Sequence, residues 1–362
     1  MEEGSFAFPK VPLMIVDGSL IVCQLIESSL LNLVNFASLI CTNAIRHRII
    51  VGREAKLYEF GMRRAQGPNG ALTASKYSFL GGFDATSNVL AGKVFNIPVV
   101  GTHAHSFVSS FTSLQQQHHS SSLLDTENES KMDVDAARNA VKKRDKCEKP
   151  TSVEQLRQLA HKWLAFLAIN VKSKYLQVGM MHKGDLEAFC NYAFAFPGRF
   201  LALIDTYDTL HSGLPSFCAV ALALAELGYQ AKGVRIDSGD LAYQSIEIHT
   251  LFSLISQLLN LDPLTWMVVA SNDLDEDTIR SLGQQGHRID AFAVGTNLVT
   301  CKKQPSMGCV YKLVQINGQP SVKLSANMEK ASLPGSNKHI YSLVNHFFPF
   351  VSFGENNTSQ IL

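Results

Sequence analysis

Val234-Arg235-Ile236-Asp237-Ser238-Gly239-Asp240-Leu241 sets two opposite charges into what otherwise reads as a buried strand. Side chains in a strand alternate faces, so Arg235 and Asp237 point to one side while Val234 and Ile236 point to the other. Taking two charges out of water costs several kcal/mol per ion unless pairing and hydrogen bonds restore it. Such a pair belongs at a cleft, although a structural ion pair closing a strand end satisfies the same pattern. Ser238-Gly239-Asp240 then turns the chain and offers an N-cap to a following helix.

The same grammar recurs. Phe200 to Ile204 ends in Asp205-Thr206-Tyr207 and is followed by an apolar helical stretch from Leu214 to Leu227. Trp266 to Ala270 ends in Ser271-Asn272-Asp273, with a helix starting near Asp275, and Ile289 to Val294 ends in Gly295-Thr296-Asn297. Successive strand–helix units with polar strand ends predict an α/β protein built on a parallel β/α barrel, whose active site collects at the C-terminal ends of its strands. A doubly wound open sheet gives a similar period. Neither a GxGxxG fingerprint nor a GxxxxGK[ST] loop is present, which removes the common nucleotide-binding versions of that sheet.

With 362 residues, 46% of them hydrophobic, there is material for a barrel and a smaller attached domain. A net charge of +1 gives no general attraction to nucleic acid or to a membrane surface. Seven scattered cysteines without a CxxC pair favour reduced thiols and a cytosolic location, and Met1-Glu2-Glu3 does not open a signal peptide. The apolar run from Ile21 to Leu39, broken by Gln24, Glu27, Asn32 and Asn35, reads as a strand followed by a helix and not as a membrane span. Residues 112–151 turn to Gln, His, Ser and charged tracts, which predicts a mobile surface insertion within the barrel.

Two further clusters carry chemistry. Ile97 to Gly101 reads as a strand entering Thr102-His103-Ala104-His105-Ser106, where the small residues allow close approach of a ligand. A His-x-His at a barrel strand end can hold a metal for hydrolysis; a single imidazole there can act as nucleophile or base; either histidine can also be structural. The metal reading needs further ligands, and His211, His249 and His287 fall in expected helices or loops. The other cluster is Glu59 to Gly67, with Arg63 and Arg64 beside glycines, followed by Gly81 to Asn88. Adjacent guanidinium groups suit a diphosphate, although most paired arginines are simply solvated.

Phe60-Gly61-Met62-Arg63-Arg64-Ala65-Gln66-Gly67, Leu80-Gly81-Gly82-Phe83-Asp84, Gly101-Thr102-His103-Ala104-His105-Ser106, Gly233 to Asp240 and Val294-Gly295-Thr296 together resemble the motifs of the nicotinate phosphoribosyltransferase family, in that family's order. The resemblance runs from Gly4 to Ser336 apart from the insertion. It implies a type II phosphoribosyltransferase, with an irregular β/α barrel joined to a partial smaller α/β domain and working as a homodimer. The implied reaction joins nicotinate to 5-phosphoribosyl 1-diphosphate with Mg²⁺ or Mn²⁺, ATP being a co-substrate. By resemblance His105 is the histidine phosphorylated by ATP. Thr102 and Arg235 hold nicotinate, and Gly295 with Thr296 holds the 5-phosphate. Arg63 and Arg64 steer the diphosphate, Phe60 stacks on the pyridine, and Asp84 and Asp237 stabilise developing positive charge. No metal ligands are assigned.

The expected organisation is residues 1–58 as a remnant of an N-terminal α/β domain, 59–300 as the barrel, 301–342 as a partial C-terminal segment and 343–362 as a divergent tail. Family members carry a longer segment before the position of Gly4, including a tyrosine that packs on nicotinate in the partner's site. Three readings follow: an active transferase, a truncated inactive member that pairs with a complete subunit, and a metal-dependent barrel hydrolase.

Overall fold

The computed structural model describes residues 1–9, 11–114, 132–142, 147–261, 265–324 and 334–335. Six parallel strands form its main sheet: β1 (Lys56–Glu59), β2 (Ala85–Thr86), β3 (Leu201–Leu203), β4 (Gly233–Ile236), β5 (Met267–Ala270) and β6 (Ala291–Val294), in the order β2-β1-β6-β5-β4-β3. The first strand pairs with the last, Lys56 opposite Ala291 and Glu59 opposite Val294. This is the neighbour relation of a sheet curling toward a barrel, and it displaces the doubly wound alternative.

Backbone pairing continues past β2, where Thr86 N donates to Pro98 O at 3.0 Å and Val100 N to Thr86 O at 3.0 Å. The remaining gap, between the segment after Val100 and the free edge of β3, is bridged by a side chain. Leu203 N donates to Nε2 of His103 at 3.2 Å. An imidazole thus does what a strand carbonyl would do, and the buried edge N–H is not left unpaired.

Each strand end doubles as a helix start. Asp240 accepts from Tyr243 N at 3.0 Å and caps the helix Leu241–Leu259, Asp275 accepts from Thr278 N at 2.9 Å and caps Glu276–Gln285, and Asn88 caps Val89–Phe95. Every residue of the helix Leu214–Glu226 from Leu214 to Leu224 is buried, the mark of a helix covered on all sides. Phe217 anchors it, 5.5 Å from the ring of Phe200 and 5.2 Å from that of Trp266. These ring pairs fix the outer layer against the strands.

The strand expected near Ile21 does not form. Leu20–Leu25 is helical, with the Ser19 hydroxyl at its N-cap, and Glu27–Val51 is a second helix. By length and composition the latter could cross a bilayer, yet its later turns bury a polar face within the protein. Asn43 donates to the carbonyls of Asn297 at 2.9 Å and Leu298 at 3.0 Å, and His47 is fully buried. A compact unit spans Leu39–Pro305, and Met1–Ser38 with Ser306–Leu362 forms another. Within the second, Gln315–Ile316 pairs antiparallel with Gln319–Pro320, and Cys309 N donates to Asn35 Oδ1 at 3.1 Å. The tail 343–362 and residues 115–131 and 143–146 of the insertion lie outside the described residues. Between those stretches Val134–Ala140 is helical, with Ala137 buried and Arg138 Nε donating to Leu258 O at 3.0 Å. All seven cysteines are free thiols.

Candidate active site

Strand alternation delivers Arg235 to the mouth of the sheet, where its guanidinium is held from three sides. Nε donates to Ser271 Oγ at 2.7 Å, Nη1 to Thr102 Oγ1 at 3.2 Å, and Nη2 lies 3.2 Å from Asp237 Oδ2. Its carbon centre sits 5.5 Å from the ring centroid of Phe60, which leaves the end of β1. Thr102 turns its own proton to His103 O at 2.9 Å, so its oxygen is free to accept from the arginine. Ser271 closes the triangle by donating to Asp237 Oδ1 at 2.7 Å. The Arg235–Asp237 pair at the end of β4 is therefore compensated by groups at the ends of β1 and β5 and of the segment after Val100, which offsets the desolvation cost of such a pair at a cleft.

Asp205 is a second hub and was not assigned from the sequence. Its side chain is 1% exposed; Oδ1 lies 3.0 Å from Nε2 of His105. Oδ2 accepts from the backbone N of Asp237 at 3.0 Å and from Ser238 Oγ at 2.6 Å. A carboxylate takes only donated protons, so Nε2 carries a hydrogen, and in the neutral ring it is Nδ1 that keeps the lone pair. His105 is 45% exposed and thus reachable. The arrangement is that of an imidazole oriented by an acid, whose second nitrogen, in the neutral ring, is available for nucleophilic or general-base work.

The two histidines divide their labour. Burial pushes His103 down to about 4, so it is neutral and spends Nε2 on the seam, among the rings of Phe107, Phe189 and Tyr192. Among the described residues no group of three or more His, Cys, Asp or Glu could hold a metal, so the ligand set that the metal-hydrolase alternative needs is not found among them.

Arg63 and Arg64 follow β1 in a 3-10 turn, Met62–Arg64, and both are exposed. Gly295 and Thr296 follow β6 directly beside that turn. A Cβ on Gly61 would come within 2.3 Å of Val299 Cγ1 and 3.0 Å of Gly295 O, and a Cβ on Gly295 within 3.0 Å of Phe60 O. The glycines are required because the two loops touch through their backbones. Asp84 does not join these residues. Preceding β2, it accepts from Leu57 N at 2.8 Å and from Arg48 Nη2 at 2.6 Å, with Lys56 Nζ 3.4 Å away. It braces the N-terminal edge of the sheet, opposite the mouth, so its expected part in stabilising charge on the substrate is corrected to a structural one.

The match to known proteins follows this geometry. The Nicotinate phosphoribosyltransferase (NAPRTase) family profile matches residues 55–165 and 220–349, which contain β1, β4 and most of the mouth. The chain belongs to the nicotinate phosphoribosyltransferase family. It is 47% identical over 359 residues to nicotinate phosphoribosyltransferase 1 of Arabidopsis thaliana, covering 98% of this chain and 60% of that relative. To the nicotinate phosphoribosyltransferase of Dictyostelium discoideum it is 49% identical over 339 residues, or 92% of this chain and 51% of the relative. The crystal structure of human nicotinic acid phosphoribosyltransferase superposes with a TM-score of 0.70 at 43% identity, over 92% of this chain and 58% of that one. The chain thus spans between half and two thirds of the length of these family members. Beyond Asp205, the functional candidates that sequence reasoning missed are Ser271, which orients both members of the Arg235–Asp237 pair, and the seam role of His103. The only sequence signal for either was its position at a strand end.

Proposed function

We propose that the barrel mouth transfers a phosphoribosyl group to nicotinate, releasing diphosphate, with ATP hydrolysis driving the balance. The observation that carries this reading is Arg235. Its two hydrogen-bonded N–H groups, its ion pair with Asp237 and the adjacent Phe60 ring present a fixed cation beside an aromatic face, which is the complement of a planar aromatic carboxylate. Nicotinate would lie against Phe60 with its carboxylate on Arg235 and Thr102. Its ring nitrogen attacks C1 of the phosphoribosyl donor as the bond to diphosphate breaks. Asp237 then lies where positive charge grows on ring and sugar. Arg63 and Arg64 face the departing diphosphate, and the backbone at Gly295 and Thr296 takes the 5-phosphate.

His105 would attack the γ-phosphoryl group of ATP through Nδ1, with ADP leaving and Asp205 steadying the imidazole. The described carboxylates make no closed cage for Mg²⁺. A magnesium ion would accompany the phosphates, as is common for that metal, and no step here depends on a protein-bound one. The test is diphosphate release by the purified chain with phosphoribosyl diphosphate, ATP and Mg²⁺. Release that requires nicotinate and fails with nicotinamide is expected. Release indifferent to the choice between the two would overturn the carboxylate reading.

A further inference from the structure

Below the turn that carries Arg63 and Arg64 lies a carboxylate that no step above uses. Glu59, the last residue of β1, is 1% exposed. Its Oε1 accepts from the backbone N of Gly61. Its Oε2 accepts from Ser75 Oγ at 2.8 Å and from Thr86 Oγ1 at 2.5 Å. The hydroxyls are themselves given protons from one side: Asn88 Nδ2 donates to Ser75 Oγ at 3.2 Å, and Asn88 N to Thr86 Oγ1 at 2.9 Å. Asn88 cannot turn its amide over, because Oδ1 accepts from Ala91 N at 3.2 Å. Donation thus converges on the carboxylate from Gly61 N–H, from Thr86 and from Ser75, whose single hydroxyl proton is shared with Ala71 O at 3.0 Å.

The same carboxylate accepts from Gly61 N–H, the first peptide of the Met62–Arg64 turn, whose Arg64 N in turn donates to Gly61 O at 2.9 Å. On its other side Gly61 is pressed against Gly295 and Val299. The turn is clamped between the carboxylate and the β6 loop. A buried charge is weak evidence for stability, since apolar replacements of similar volume are often as stable. Its use here is placement.

We propose that Glu59 is a positioning residue: its buried carboxylate, through Gly61 N–H, Ser75 and Thr86, fixes the turn that aims Arg63 and Arg64 at the diphosphate of the phosphoribosyl donor. This rests on the functional reading given above. Glu59 touches no substrate, and its removal acts through the arginines. In Glu59→Gln one acceptor oxygen becomes an amide donor, so either the Gly61 N–H bond is lost or the Ser75 and Thr86 hydroxyls must turn their protons away from the side chain, Ser75 toward Ala71 O.

Titration calorimetry with phosphoribosyl diphosphate and, separately, nicotinate, on the full chain, tests the idea. Glu59→Gln is expected to weaken phosphoribosyl diphosphate about tenfold while leaving nicotinate within about twofold. Trypsin should cut after Arg63 or Arg64 about tenfold faster than in the parent at a temperature where both are folded. Thr86→Val, which removes a single donor, should give a smaller loss in the same ligand and serves if Glu59→Gln fails to fold. Equal weakening of both ligands, or unchanged donor affinity and unchanged cleavage, overturns the role of Glu59. A parent chain that binds no phosphoribosyl diphosphate at all overturns instead the functional reading beneath it, and this inference with it.

Discussion

Arg235 commits two of its five N–H groups to Ser271 and Thr102 and pairs with Asp237 through Nη2, which leaves its fork rigid and its remaining donors for a ligand. A charge-assisted bond of this kind is worth about 1.5–3 kcal/mol, or roughly ten- to a hundredfold in affinity. Arg235→Ala should weaken nicotinate by that factor and phosphoribosyl diphosphate by much less, as calorimetry would show; equal weakening would indicate general damage to the mouth. Arg235→Lys should recover little, since one ammonium cannot hold Ser271 and Thr102 while meeting a planar carboxylate. At His105 the geometry assigns the reacting nitrogen. Incubation with ATP labelled in the γ-phosphate should give an acid-labile adduct that is absent in His105→Ala. It should persist in His103→Ala, because Nε2 of His103 is bound to Leu203 N. Asp205→Asn offers an amide N–H or a weaker acceptor to Nε2, and should slow labelling by about a hundredfold or more through the wrong tautomer. Label that survives loss of His105 would move the nucleophile elsewhere.

The strand β4 with its exit was legible in advance because a charged pair on one face of an apolar strand has few other uses, and Arg235 and Asp237 do meet at the mouth. The polar ends of β3, β5 and β6 were legible for the same reason. What escaped reading has a physical cause in each case. β2 is two residues long, too short for any period, so nothing in the sequence says that Asp84 lies at its N-terminal end and Thr86 at its C-terminal end. The run at Leu20–Leu25 is rich in β-branched and leucine side chains, and a capping serine decides for helix. Asp205 and Glu59 act through contacts about a hundred and sixteen to twenty-seven residues distant in sequence, respectively, which spacing cannot reveal. The seam between β3 and the segment after Val100 is the least legible element, since it depends on a side chain standing in for a strand. His103→Phe keeps the aromatic packing and orphans Leu203 N–H, at a cost of about 1–3 kcal/mol. Denaturant midpoints should show that loss, amide exchange at Leu203 should quicken, and His103→Gln, which restores an acceptor, should recover part of both. Unchanged exchange in His103→Phe would show that the seam closes without the imidazole.

Across the whole molecule, two buried groups titrate in opposition. His103 is held down to about 4 by burial. It therefore contributes stability that is present above its unfolded value near 6.5 and lost as pH falls toward 4, because only the unfolded chain takes up the proton there. Asp185 is the reverse. It is fully buried, and among the described residues only the Ser212 hydroxyl reaches it, on Oδ2, while Oδ1 has no partner. Burial, with the fields of Asp208 and Asp205 added, pushes it up to about 7. Its contribution is present below its unfolded value near 3.8 and is lost as pH rises toward 7, since the folded chain must release a proton that the unfolded chain has already shed. They amount to roughly 3 and roughly 4 kcal/mol respectively, so between pH 4 and 6.5, where both act, the two largely cancel. His47, His182 and His287, all lowered chiefly by burial, tip the balance toward loss on acidification. The parent chain should therefore lose stability only gently from pH 6.5 to 4.5, measured as the denaturant midpoint at each pH. Asp185→Asn removes the opposing carboxyl and should expose the histidine contribution as a steep fall over that range, whatever its effect on stability at neutral pH. A variant whose profile runs parallel to that of the parent would show that Asp185 is ionised in the fold at pH 6, and that its burial is relieved by solvent.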